Sequence, residues 1–221
     1  MNFKSFGIAV LLCGAAYSQS VPFQSLEGMK QKNVMAAIAS YKGRAGLKVT
    51  DAVNTSAEVT EDRLVILNTA EFKDGAIEVD VAGEPGPGAA AAARGFVGVA
   101  FHIAADASAF ECFYLRPTNG RADDQVRRNH SVQYISFPAF PWQKLRKEFP
   151  EKYESYADLV PGEWTKARIE VAGAKARLYV NGAAQPSLIV NDLKLGEGKG
   201  AIGLWIGPGT VAHFANLKIS K

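Results

Sequence analysis

Residues 117–130 read PTNGRADDQVRRNH, a polar stretch set between two apolar runs. It carries Asn119, Arg121, Asp123, Asp124, Arg127, Arg128 and His130, with Val126 as its one large apolar side chain. Asn, Asp and Arg present planar groups that make several hydrogen bonds each, and His changes charge near neutral pH. That mixture suits a hydroxyl-rich ligand and proton transfer at its atoms. His130 and Asp124 are the expected proton carriers, with Glu111 as a further carboxyl candidate. Asp123 and Asp124 are adjacent, so in an extended segment only one of them faces a given atom. Cleavage of a glycoside by two carboxyls needs them about 5–10 Å apart across a cleft. One Asp with His130 or Glu111 is therefore the expected acid/base pair.

Other chemistries are disfavoured. There is no G-x-S-x-G for a serine hydrolase. The glycines at 83–88 precede neither a helix pattern nor a G-K-[ST], which argues against nucleotide binding. Asn119, Asp123 and Asp124 lack the order and the downstream Glu of a calcium loop. No metal and no cofactor are expected.

The elements that must hold these groups are strands. Apolar residues recur mostly at period two, in runs at 34–41, 46–50, 63–69, 75–81, 95–103, 110–116, 131–137, 163–171, 177–180, 200–206 and 212–219. Turn signals such as Lys42-Gly43 and Asn181-Gly182 separate them. The pattern predicts an all-β fold, an antiparallel two-sheet β-sandwich or jelly roll, with one short surface helix at 141–149. A rigid sandwich usually displays its binding groups on long polar loops of the 117–130 kind.

Alternation then divides each strand into two faces. Val97, Val99, Phe101 and Ile103 oppose Gly98, Ala100 and His102; Ile202, Leu204 and Ile206 oppose Ala201, Gly203 and Trp205. The large side chains should fill the core, and the small ones should leave an open concave surface. Cys112, Tyr114 and Arg116 share that surface if Glu111, Phe113 and Leu115 face inward; the opposite register would turn Glu111 toward the cleft. The expected ligand-contacting set is His102, Tyr114, Arg116, Gln133 and Trp205, with Asn119, Arg121, Asp123, Arg127 and Arg128 from the polar stretch. Rings stack on the C–H face of a sugar while the polar groups take its hydroxyls. In a lyase, His130 or Tyr114 would act as base or acid and Arg116 would neutralise a uronate.

Composition bounds the rest. The chain has 221 residues, 48% hydrophobic and 21% charged, and a net charge of +3. That is a globular composition, and the charge is too small to argue for nucleic acid. Residues 1–18 have the plan of a secretory signal peptide, with an apolar run at 6–13 and small residues before position 19. Lipid attachment at Cys13 is the alternative. No segment is long enough for a membrane span. Residues 19–221 then form one domain, secreted or periplasmic, with Cys112 left as a lone buried hydrophobe.

PGEWTKARIEV at 161–171, ARLYVNG at 176–182, AIGLW at 201–205 and HFANLKI at 213–219 resemble the concanavalin A-like lectin/glucanase superfamily. In particular, the pattern is similar to laminin-G-like jelly rolls and to the bacterial 3-keto-disaccharide hydrolase domain. The resemblance implies a carbohydrate partner and a glycoside hydrolase or lyase. It also admits a non-catalytic lectin-like module or a laminin-G-like adhesion domain. The E-x-D-x-x-E of the superfamily's glucanases is absent, so no catalytic residue carries over from them. The keto-disaccharide domain follows its Arg-ended strand with a G-x-E-x-Q strand. Here Arg116 ends one strand and Ser131-Val132-Gln133 follows, matching the Gln and replacing the acid by Ser131.

Overall fold

The structure, a computed structural model, describes residues 18–52 and 62–221. Positions 1–17 of the expected signal segment, Cys13 among them, lie outside the described residues. In chain order the first elements are β1 (Ser18–Val21), β2 (Lys30–Lys32), β3 (Val34–Tyr41), β4 (Arg44–Asp51), β5 (Leu64–Ile66), β6 (Gly75–Pro85), β7 (Val97–Ile103) and β8 (Phe110–Leu115). Two short helices follow, α1 (Pro117–Gly120) and α2 (Gln125–Asn129), then β9 (Val132–Phe137), α3 (Trp142–Glu148) and β10 (Glu154–Ser155). The chain closes with β11 (Thr165–Ala172), β12 (Lys175–Val180), β13 (Leu188–Val190), β14 (Ala201–Ile206) and β15 (Thr210–Ser220).

These strands make two antiparallel sheets. One runs β13-β12-β11-β6-β15-β4-β3, with β1 also on β15; the other runs β10-β9-β8-β7-β14-β5-β2. The two-sheet sandwich expected from period-two alternation is therefore the fold. Its core lies between the sheets. Ile77, Val79 and Val81 of β6 meet it from one side, beside Ile169 and Phe214. Val65, Leu204, Val99, Phe113 and Tyr134 form one cross-strand row on the other. Each of these apolar side chains contributes about 1.5–3 kcal/mol on full burial.

The helix expectation changes: among the described residues there are three short helices where one was expected. The one at 141–149 is α3, which buries Leu145. The other two occupy the polar stretch at 117–130, where Pro117 opens α1 and Asp124 caps α2. Between β3 and β4, Lys42 and Gly43 both adopt positive φ, 44° and 78°. That is the backbone a two-residue hairpin turn needs, and it fixes the register Tyr41 to Arg44.

Candidate functional site

Register decides which side chains meet. Glu154 pairs with Gln133, Gln133 with Tyr114, Tyr114 with Gly98, and Gly98 with Trp205. Directly opposed residues of a sheet share a face, so this row crosses β10, β9, β8, β7 and β14 on the side away from the core. Arg116 follows Tyr114 by two and shares its face. Glu111 pairs with Phe101 and Ser136, which puts it on the core side.

The expected open hollow on the outer face is filled. Tyr114 and Trp205 are 2% and 3% exposed and stack with centroids 4.6 Å apart. Ala100, Cys112 and Ile135 are fully buried. The small residues accommodate the chain's own rings: a Cβ on Gly98 would come within 2.2 Å of the Phe113 carbonyl oxygen and 2.6 Å of Tyr114 Cβ. His102 is buried too, and its Nε2 lies 2.8 Å from the Lys73 carbonyl oxygen.

A polar cluster closes one end of the row. Arg116, 5% exposed, donates through Nη2 to Tyr114 Oη at 3.0 Å and Gln133 Oε1 at 2.9 Å. Its Nη1 donates to the His130 carbonyl at 2.8 Å and reaches Glu154 Oε2 at 3.4 Å. Arg146 of α3 grips the same carboxylate with two bonds, Nε to Oε1 at 2.7 Å and Nη2 to Oε2 at 2.5 Å. Trp142 lies beside both guanidiniums, 4.6 Å from Arg146 and 5.7 Å from Arg116.

Burial alone would push the Glu154 carboxyl up. The hydrogen bond and charge of Arg146, followed by the charges of Arg116 and His130, hold it below the usual carboxylate range. His130 caps the C-terminus of α2 and places its Nε2 3.7 Å from Glu154 Oε1. Burial lowers the imidazole's pKa and the two arginines lower it further, against the pull of Glu154. A partly exposed, neutral imidazole therefore faces a buried carboxylate at neutral pH. With that imidazole neutral, two guanidiniums against one carboxylate leave the cluster at +1.

The remaining expected residues separate into three groups. Asn119 supports the cluster, donating from Nδ2 to the His130 carbonyl at 3.3 Å and accepting from Arg127 at Oδ1. Arg121 and Arg128 point to the surface, Arg121 paired with Asp158 and Arg128 bonded to Tyr156 Oη. Asp123 is exposed, and exposed Asp124 accepts the Arg127 amide at 3.0 Å as a helix cap. Glu111 is wholly buried, accepting from Tyr134 Oη at 2.7 Å and the Leu195 amide at 2.8 Å, and burial raises its pKa. Glu154, Arg146 and Trp142 complete the cluster. Glu154 escaped sequence reasoning because β10 has only two residues and no alternation to read. Among the described residues no three His, Cys, Asp or Glu side chains gather as a metal site, and no helix is long and apolar enough to cross a membrane.

The two-sheet sandwich is a fold shared by a galectin-like protein and a carbohydrate binding module. Residues 24–220 match the 3-keto-α-glucoside-1,2-lyase-like domain, and the chain belongs to that family. The structure is similar to a Bacillus subtilis protein of unknown function with a galectin-like fold, at TM-score 0.58 and 13% identity over 92% of this chain and 94% of that one. It is also similar to the carbohydrate binding module CBM66 from Bacillus subtilis, at TM-score 0.50 and 15% identity over 86% and 96%. Identities this low speak for the fold alone. No curated protein matches the chain.

Proposed function

We propose that the chain is an extracytoplasmic enzyme that cleaves a 3-keto-glycoside by elimination, with His130 as the base. The observation that supports this most directly is the partly exposed, neutral His130 set 3.7 Å from a buried carboxylate that two arginines hold ionised. A ketone at C3 of a sugar acidifies the C2–H bond. His130 takes that proton, and the C–H electron pair moves into an enolate. The enolate then forms the C1–C2 double bond and expels the glycosidic oxygen, which takes a proton from solvent. Glu154 is a positioning residue that orients the imidazole and stabilises the imidazolium as it forms. The +1 charge of the cluster favours the enolate, and Trp142 offers an apolar wall for the ring.

A non-catalytic carbohydrate-binding role is the second reading. It is favoured by Arg116, which spends its bonds on the chain's own groups and offers none to a reacting atom.

One experiment separates them. The protein is incubated with an aryl 3-keto-α-glucoside, and phenol release and enone absorbance are followed. Release by the parent, with kcat/KM falling at least about 100-fold in His130→Gln, supports the lyase. Binding without product supports the module, and undiminished turnover by His130→Gln removes His130 from the chemistry. Fractionation of the source cells tests the compartment.

A further inference from the structure

The opposite sheet carries a cavity of about 380 Å³ on the outer side of β6, β11 and β15. Its floor is Asp80, an acid placed mid-strand on β6 where its neighbours Val79 and Val81 face the core. Asp80 is 4% exposed. Arg44 Nη1 and Asn216 Nδ2 each lie 2.7 Å from its Oδ2, and Lys166 Nζ lies 3.3 Å from its Oδ1. Asn216 reaches it from an irregularity in the pairing of β15, where the residue adopts a φ of 55°. A strand that interrupts its own pairing to aim an amide at a buried carboxylate is built, not incidental.

One wall is the indole of Trp164, just before β11. Its Nε1 donates to the Tyr41 carbonyl at 3.3 Å, and the Tyr41 ring meets it edge-on at 5.8 Å. The other wall is the Asn181–Gly182 turn, where Asn181 Oδ1 accepts the Lys166 amide at 3.0 Å. Arg44 lies across the indole at 5.1 Å with its side chain 41% exposed, so it can give up that contact without disturbing the core. An anchored aromatic wall over a floor of carboxylate, amide and cations is what a sugar ring needs. The charges sum to +1, from Arg44 and Lys166 against Asp80.

We propose that this cavity is a second glycan-binding site, taking a uronate-bearing oligosaccharide whose ring packs against Trp164 and whose carboxylate meets Arg44 and Lys166. It is independent of the His130 cluster, which lies on the other sheet, and it does not require that the protein be an enzyme.

Calorimetric titration with tetragalacturonate and with neutral cellotetraose tests it. The parent is expected to bind the uronate probe at least about fivefold more tightly than the neutral one, as one added charge contact allows. Trp164→Ala should weaken uronate binding at least about tenfold while leaving turnover of a small 3-keto-glycoside unchanged. Lys166→Glu, a reversal on a half-exposed side chain that leaves the core alone, should abolish the preference and still fold. A parent that binds neither probe, equal affinity for both, or parent-like binding by Trp164→Ala or Lys166→Glu would overturn the proposal.

Discussion

Tyr114 and Trp205 stack 4.6 Å apart across Gly98, each ring paired by register with that one glycine. The absence of a side chain at Gly98 lets the two rings close on each other. Gly98→Ala would press a methyl against the Phe113 carbonyl oxygen at 2.2 Å, an atom of the neighbouring strand that cannot swing away. The expected loss of stability is about 3 kcal/mol, the upper end for overpacking. Chemical denaturation measures it, and an unchanged midpoint would mean the rings do not close over this position.

Glu154 holds two guanidiniums in a nearly dry site, with its side chain 3% exposed. Removing the charge leaves the buried Arg116 guanidinium without the carboxylate that faces it. Glu154→Gln should therefore cost about 3–5 kcal/mol, as breaking a buried ion pair usually does. Arg146 is 34% exposed and can turn to solvent, so Arg146→Met should cost distinctly less. Equal losses in the two variants would contradict this account.

Much of the fold is legible in the sequence, because alternation reports burial directly. The inward side of β7 and β14 reads correctly from Val97, Val99, Phe101, Ile202 and Leu204, all in the core. The outer side misleads. Gly98 and Ala100 signal missing volume, but the sequence does not say whether a ligand or the protein fills it. Here the protein does, since Tyr114 and Trp205 come from strands on either side of β7. Arg116, Gln133 and His130 were legible as one neighbourhood, because they flank a single polar stretch. Glu154 and Asp80 were not. Each depends on pairing between strands far apart in the chain, which no local pattern encodes.

The three histidines of the chain predict its response to acid. His102, His130 and His213 all have pKa values lowered from 6.5, in each case chiefly by burial. The unfolded chain therefore binds protons more readily than the folded one as pH falls through 6.5, so stability is full above that value and declines below it. Glu111, raised from 4.5 by burial, works in the opposite direction at lower pH. His102 is the best probe. Its Nε2 reaches the Lys73 carbonyl, its Nδ1 is buried without a hydrogen-bond partner, and it sits at a φ of 51° that Asn tolerates. Stability measured from pH 7.5 to 5.5 should fall less steeply in His102→Asn than in the parent. Parallel profiles would show that His102 does not titrate with folding.

Asp124 can be tested as cap against catalyst by one pair of variants. Its Oδ1 accepts the Arg127 amide at 3.0 Å and so satisfies a free donor at the start of α2. That helix ends at His130, so the cap also helps hold the imidazole in place. Asn caps a helix as well as Asp does but cannot carry a proton at neutral pH. Asp124→Asn should keep both stability and turnover, whereas Asp124→Ala should lose about 1 kcal/mol and some activity through a displaced His130. Denaturation and turnover of the 3-keto-glycoside, measured on both variants, decide it. An Asp124→Asn protein that is fully stable but inactive would make Asp124 a participant in proton transfer.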